Sequence, residues 1–115
     1  MDILSFLADN TLLLDGAMGS MLFARGMSRD ERSESWNLKH PEVVKSIHKA
    51  YYDAGSNLVL TNTFGANGLY HDDAELEKIV TAAVEIARSA AAESGAPQVK
   101  FVALGLDTTA AQGIY

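Results

Sequence analysis

The side chains best suited to chemistry stand at the ends of three short apolar runs. Asp15 ends the first run, Thr61-Asn62-Thr63-Phe64 ends the second and Asp107 ends the third. In parallel α/β folds, ligands bind at the carboxyl ends of the strands. Two carboxylates with hydroxyl and amide groups between them suit a ligand that carries an amino group and further hydrogen-bonding atoms.

Each of these residues also has an ordinary structural explanation. Asp15 precedes Gly16 and can form a turn or cap a helix, although a charge at the end of an apolar strand is costly unless it is used or exposed. In Thr61-Asn62-Thr63 the threonines favour a strand, and the asparagine can hold a loop. We favour function at Asp15, leave both explanations open for 61–63, and favour structure at Asp107.

Two further patterns carry weaker signals. Gly16-Ala17-Met18-Gly19 could cradle a phosphate, but it completes neither the dinucleotide fingerprint nor a P-loop, so a tight loop is favoured. His40, His48 and His71 lack metal-ligand spacing. Because His48 lies off the apolar face of its predicted helix, we expect it to be solvated. The chain has no cysteine, which excludes disulfides and thiolate metal sites within it.

The composition is that of an ordinary globular protein. The 115 residues are 48% hydrophobic and 21% charged, and the formal net charge is −6. This length fits one small domain. The negative charge and scattered basic residues argue against nucleic acid or an anionic membrane as the main partner. With no apolar run long enough to span a bilayer, we expect a cytoplasmic protein.

The candidate residues are positioned by an alternation of apolar runs and amphipathic helices. Short apolar runs bounded by turn residues predict buried strands; these cover 11–14, 58–60 and 99–104. A short amphipathic helix is predicted over 2–8. Residues 16–26 are predicted to be a loop with a short helix, and residues 28–37 to be a surface loop.

Two longer helices separate the predicted strands. The first opens at His40-Pro41-Glu42, where proline suits the first turn, and stops at Gly55. The second is capped by Asp72, with Glu75 three residues later, and ends before Gly95. The resulting order, β-α-β-α-β with parallel strands, fits both a doubly wound sheet and part of a (βα)₈ barrel.

Two sequence blocks resemble the homocysteine S-methyltransferases, a family that includes the homocysteine-binding domain of cobalamin-dependent methionine synthase and the betaine-dependent enzymes. The first block is Leu13-Leu14-Asp15-Gly16-Ala17-Met18-Gly19-Ser20-Met21-Leu22. The second begins at His40-Pro41-Glu42-Val43-Val44, continues through Ala54-Gly55-Ser56-Asn57 and ends with Thr61-Asn62-Thr63-Phe64-Gly65-Ala66-Asn67. Their order and spacing agree with the family, and the resemblance runs from about Leu12 to Leu104.

The resemblance implies a partial (βα)₈ TIM barrel and methyl transfer to the sulfur of homocysteine. The donor would be a methylated corrinoid, betaine or an S-methyl compound, and zinc held by three cysteines would bind the thiolate. Asp15 matches the family aspartate that helps to hold the homocysteine amino group. Thr61, Asn62, Thr63 and Phe64 match the segment after the second strand that lines the pocket.

Two departures from the family pattern bear on activity. The family's zinc cysteines lie in later strands, and this chain has none, so no metal site and no cofactor are expected in this chain alone. The family's Gly-Pro-Thr-Gly turn corresponds here to Asp107-Thr108-Thr109-Ala110. We expect one partial-barrel domain over 1–115, with a helical start (1–10), a βαβαβ unit (11–107) and a tail (108–115), inactive by itself.

Three hypotheses follow for the partners of such a chain. It could be one part of a homocysteine methyltransferase that acts only with the remaining barrel and binds homocysteine weakly, if at all, by itself. It could be a self-assembling half-barrel, because three parallel strands cannot close a barrel and leave edges and an apolar face open. It could be a doubly wound nucleotide-binding module, although the glycine-rich loop supplies no clear phosphate chemistry.

Overall fold

The chain forms an α/β structure with two parallel strands. The computed structural model describes residues 1–106, and Asp107 with the predicted tail 108–115 lies outside the described residues. The two strands pair in parallel, with Val59 opposite Val102. The element bounds are α1 Ile3–Asp9, α2 Gly19–Ala24, a 3₁₀ turn Ser33–Ser35, α3 Trp36–Lys39, α4 Pro41–Asp53, β1 Leu58–Leu60, α5 Asp73–Glu93 and β2 Phe101–Ala103.

The helix ends follow the local signals in the sequence. Asp72 Oδ1 accepts a hydrogen bond of 2.8 Å from the backbone N–H of Glu75, as predicted for the start of α5. Pro41 occupies the first turn of α4. Gly55 follows that helix with a φ of 113°, a conformation that glycine adopts without steric cost. The predicted limits of both long helices are therefore confirmed to within two residues.

The core lies between α4, α5 and the sheet. One cluster of buried side chains joins α4 and α5 to the segment before them, and a second joins both helices to β1. The Tyr52 hydroxyl donates to the carbonyl oxygen of Phe101 over 2.6 Å, which ties α4 to β2. The clusters comprise Leu22, Met27, Trp36, Val44, Ile47 and Ile86 in the first, and Tyr52, Val59, Ala87 and Ala90 in the second.

The first predicted strand is reduced to a single bridge. Leu14 pairs in parallel with Leu58, while Leu13 donates its N–H to the Asn57 side chain rather than to a backbone carbonyl. Leu13 and Leu14 are 55% and 58% exposed, and Leu60 of β1 is 42% exposed. The prediction of strands buried on both faces is wrong for these three leucines, which the described elements leave about half exposed. The same face is covered lower down, where Phe6 of α1 packs against Phe101 and Leu58 is 5% exposed.

Residues 28–37 are not the predicted surface loop. They contain the 3₁₀ turn and the start of α3, and Glu34, Trp36 and Asn37 are almost completely buried. The polar groups of this segment have partners: Asn37 Nδ2 donates to the Asn62 carbonyl over 2.8 Å, and Trp36 Nε1 donates to Glu31 over 3.1 Å. Polar composition suggested exposure, but buried hydrogen bonds offset the desolvation cost.

His48 is also buried, against the prediction that it is solvated. Val44, His48 and Tyr52 are spaced four residues apart, so they share one face of α4. All three are 0% exposed. The buried face of α4 is therefore wider than the apolar stripe that the sequence suggested. Among the described residues neither ring nitrogen of His48 has a hydrogen-bond partner, and burial lowers the pKa of His48 to about 4.

The helices of residues 1–106 are too short or too polar to cross a membrane. Even α5, the longest of them, does not combine the length and the apolar character that a membrane span requires.

Candidate functional site

A cavity of about 370 Å³ opens at the carboxyl ends of the parallel strands. Residues 15–19 follow the Leu14 bridge and form one wall, and Leu60, Thr61, Asn62 and Phe64 form another. Ser33 and Gly105 complete the lining. The structure thus brings together four of the five residues proposed for this site, and Thr63 lies behind the wall. Asp107, the third polar position considered, lies outside the described residues.

Asp15 is the one carboxylate among the described residues that line the cavity, and it lies at the strand ends. Its Oδ2 accepts a hydrogen bond of 3.1 Å from the N–H of Leu60, and its own N–H donates to the Leu58 carbonyl over 3.0 Å. Burial raises the pKa of the Asp15 carboxyl, and the hydrogen bond from Leu60 only partly opposes that effect. A carboxylate in this state gains from a cationic ligand.

The hydroxyls of Thr61 and Thr63 form a closed ring with Gly105. Thr63 Oγ1 can only donate to the Gly105 carbonyl, at 2.5 Å, so Thr61 Oγ1 donates to Thr63 Oγ1 at 2.8 Å. The N–H of Gly105 then donates to Thr61 Oγ1 over 3.0 Å. Both hydroxyl protons are committed to this ring, which joins the end of β1 to the segment after β2.

Asn62 and Phe64 differ in how they meet the cavity. Asn62 is 4% exposed, and its Nδ2 donates to the Ser33 carbonyl over 2.8 Å and to Asn37 Oδ1 over 3.0 Å. Phe64 is 61% exposed and offers an aromatic surface at the mouth. Asn62 therefore holds the wall, while Phe64 is available for contact with a ligand.

A buried charged cluster lies beside this wall and was missed by the sequence analysis. Glu34 is 2% exposed, and its Oε2 lies 2.7 Å from both Arg32 Nε and His71 Nε2. His71 Nδ1 lies 3.3 Å from Glu75 Oε1. Burial alone would raise the pKa of the Glu34 carboxyl, but the hydrogen bonds from His71 and Arg32 outweigh it and lower that pKa. No local motif links Glu34 to a histidine 37 residues away.

The described residues do not fit the zinc site that the family resemblance implies. The chain has no cysteine, and within residues 1–106 no group of three His, Asp or Glu side chains could hold a metal ion. The described part of the cavity lining offers one carboxylate together with hydroxyl and amide groups. This donor set lacks the thiolates that hold zinc beside a substrate sulfur.

Comparison with known sequences identifies a family and several relatives. The family model described as Homocysteine S-methyltransferase matches residues 12–114. Methionine synthase from Mycobacterium tuberculosis (strain ATCC 25618 / H37Rv) is 34% identical over 114 residues, which cover 90% of this chain and 10% of that protein. Homocysteine S-methyltransferase from Escherichia coli (strain K12) is 36% identical over 90 residues, which cover 69% of this chain and 28% of that protein.

Solved structures agree with the sequence relatives. The metallated form of the homocysteine methyltransferase MmuM from Escherichia coli matches with a TM-score of 0.78 and 27% identity, over 96% of this chain and 42% of that one. Its oxidized form matches with a TM-score of 0.74 and 30% identity, over 91% of this chain and 41% of that one. The chain thus spans less than half the length of each of these relatives.

Proposed function

This chain belongs to the homocysteine S-methyltransferase family, and we propose that it forms the first part of a (βα)₈ barrel and one wall of a homocysteine pocket. The observation that carries the proposal is the position of Asp15, a carboxylate with a raised pKa that lines a cavity at the strand ends. Ligands of parallel α/β folds bind at that edge.

In this proposal Asp15 accepts hydrogen bonds from the ammonium group of homocysteine. The interaction is favoured because the partly buried carboxylate has no cationic side chain among its hydrogen-bond partners in the described chain. Phe64 covers the ligand from the mouth of the cavity. The wall is held in place by hydrogen bonds from three neighbouring side chains. Thr61 and Thr63 bind Gly105, and Asn62 binds the Ser33–Asn37 segment.

Methyl transfer itself requires groups that this chain lacks. Zinc keeps a bound thiol deprotonated at neutral pH, and the family's three cysteines would come from the remaining part of the barrel. Mixed with that part, the chain would take part in transfer from a methylated corrinoid or another methyl donor. By itself it would bind homocysteine weakly and carry out no transfer.

The test is calorimetric titration of the protein with L-homocysteine under reducing conditions. We expect weak saturable binding that Asp15→Asn lowers about tenfold, the effect of losing one charge-assisted hydrogen bond. Asp9→Asn, at the exposed end of α1, is the matched control and should bind like the unaltered protein. Absence of binding by the unaltered protein, or equal binding by Asp15→Asn, would contradict the proposed role.

A second candidate function is self-association, favoured by the apolar side of the sheet. Leu14 and Leu60 are 58% and 42% exposed, and the strand register puts both on one face of the sheet. Exposed apolar surface of this kind promotes association. Light scattering after gel filtration over a dilution series should give a homo-oligomer that Leu60→Ser weakens. A monomer at every concentration would sink this candidate and leave the remaining barrel segment as the partner.

A further inference from the structure

A short, partly buried segment supports the cavity wall. Residues 32–37, here called the strap, contact the wall through Ser33 and Asn37 on either side of Glu34. The Asn62 side chain donates to the Ser33 carbonyl and to Asn37 Oδ1, and Asn37 Nδ2 donates back to the Asn62 carbonyl over 2.8 Å. Three hydrogen bonds therefore fix both the side chain and the backbone of Asn62.

Glu34 anchors the strap to a different part of the molecule. Its carboxylate is paired with His71, which lies at the start of the segment leading into α5, and with Arg32 of the strap itself. The Arg32 guanidinium also lies 3.4 Å from the centre of the Tyr70 ring. A buried carboxylate with two such partners holds its position more firmly than an exposed pair.

The Glu34 carboxylate lies directly against the backbone of Gly65, the residue after Phe64. A methyl group added at Gly65 would come within 2.5 Å of Glu34 Oε1 and 2.8 Å of Arg32 Nη2. Real side chains do not approach this closely, so glycine is required while Glu34 occupies its place. The strap thus contacts the 62–64 segment of the wall on both sides, through Asn62 at its start and through Gly65 just after its end.

From these contacts we infer that Glu34 is a positioning residue, which holds the strap against Asn62 and Gly65 and thereby fixes the 62–64 wall for the ligand. This inference rests on the proposed function, because the wall is the one proposed to bind homocysteine. Glu34 itself does not line the cavity. Its effect on a ligand passes through the wall.

The test is a rescue experiment with Gly65→Ala and Glu34→Asp. Gly65→Ala forces the carboxylate away from the wall. Glu34→Asp shortens that side chain by one methylene group and relieves the overlap with the carboxylate, leaving only the contact with the mobile end of Arg32. Homocysteine affinity is measured by calorimetry, and the wall is followed through the backbone amide NMR shifts of residues 62–64. Trp36, the chain's single tryptophan, reports the state of the strap by its fluorescence.

We expect Gly65→Ala to weaken homocysteine binding about tenfold, the effect of one misplaced hydrogen bond, and to shift the wall amides. The double variant should bind more tightly than Gly65→Ala, with amide shifts closer to those of the unaltered protein. Two unrelated destabilising changes would instead add. Unchanged affinity and amides in Gly65→Ala, or a double variant no better than Gly65→Ala, would overturn the inference.

Two further variants keep the outcomes distinct. If Gly65→Ala does not fold, Glu34→Gln replaces it: the size is kept and the charge removed, and unchanged affinity and amides in the folded protein would again overturn the inference. Glu85→Gln on the exposed side of α5 controls for loss of a carboxylate. If the unaltered protein binds no homocysteine, the proposed function fails, and the amide shifts alone decide whether Glu34 positions the wall.

Discussion

Asp15 and Glu34 are two carboxylates near the same edge of the sheet, and their environments differ. Asp15 is partly buried, receives a backbone N–H from Leu60, and has a raised pKa because desolvation dominates. Glu34 is more deeply buried, yet its pKa is lowered because hydrogen bonds from His71 and Arg32 outweigh burial. Depth of burial therefore does not decide the direction of the pKa shift, whereas the hydrogen-bond donors around the carboxyl group do.

The difference separates a structural carboxylate from one available to a ligand. Glu34 already has its partners, so its charge stabilises the fold around it. The partly desolvated charge of Asp15 lowers the stability of the fold, and a bound cation would offset that loss. Groups with perturbed pKa values are often found at binding sites for this reason. The two residues should consequently respond in opposite directions to neutralisation.

The largest loss of stability expected in acid comes from His48. A variant without this histidine is therefore needed before the two carboxylates can be compared. The pKa of His48 is lowered from 6.5 to about 4 by burial, so the unfolded chain takes up a proton first. Stability is then fully present above pH 6.5 and is lost as the pH falls towards 4, by about 3 kcal/mol. Urea titrations between pH 7 and pH 4 should show this loss, and His48→Leu should abolish it.

His40→Leu is the control for that experiment, because His40 is exposed at the start of α4. It should leave the acid loss in place. An equal loss in His48→Leu would mean that the buried His48 ring does not govern stability in this pH range.

The next largest effect tests the structural side of the comparison. Glu34→Gln should lower stability at pH 7 by roughly 2 kcal/mol, because charged hydrogen bonds to His71 and Arg32 are lost. The thermal midpoint should fall by roughly 10 °C. Since the pKa of Glu34 is depressed, its stabilisation is present above the unfolded value of 4.5 and disappears as the pH falls through the folded pKa.

Made in the His48→Leu background, the same substitution should also reduce the loss of stability below that pH. The part that remains belongs to other carboxyl groups with a lowered pKa, such as Asp53 and Glu93. Glu85→Gln on the exposed side of α5 serves again as the matched variant and should change neither the midpoint nor the acid limb. If Glu34→Gln melts at the same temperature as its parent, the ion pairs would contribute nothing and the two carboxylates would not differ as described.

The sequence predicted the elements that local chemistry determines. Asp72 with Glu75, Pro41 and Gly55 each mark a helix end by a backbone requirement that nearby residues satisfy. The position of the site could be predicted for a similar reason, because polar residues that follow apolar runs meet at one edge of a parallel sheet. Asp15 and the 61–64 segment accordingly line or support one cavity.

The rest depended on contacts between distant segments. The pairing of Glu34 with His71 joins the predicted surface loop 28–37 to a residue 37 positions further along the chain. His48 was misassigned because the buried face of α4 includes a polar ring, which a pattern of apolar residues does not include. The first strand is shorter and more exposed than predicted because its burial depends on which segments pack against it. The periodicity of apolar residues along the chain does not reveal those packing partners.

The smallest effect tests the ligand side of the comparison. Because the pKa of Asp15 is raised, its contribution to stability is present below the unfolded value of 3.8 and is lost as the pH rises through the folded pKa. At pH 7 the ionised side chain opposes folding, so Asp15→Asn should stabilise the protein. The gain should stay below about 1 kcal/mol, since water still reaches this side chain. Thermal melts at pH 7 should show it.

The gain should shrink as the pH is lowered, because both side chains are then neutral, while Asp9→Asn should show no such trend. Neither weaker homocysteine binding nor higher stability would alone separate a binding role from a packing role. A substitution that causes both indicates that the original side chain serves ligand binding at a cost in stability. A lower midpoint for Asp15→Asn at pH 7 would place Asp15 with Glu34 as a carboxylate that the fold needs charged, and the proposed amino-group contact would lose its physical basis.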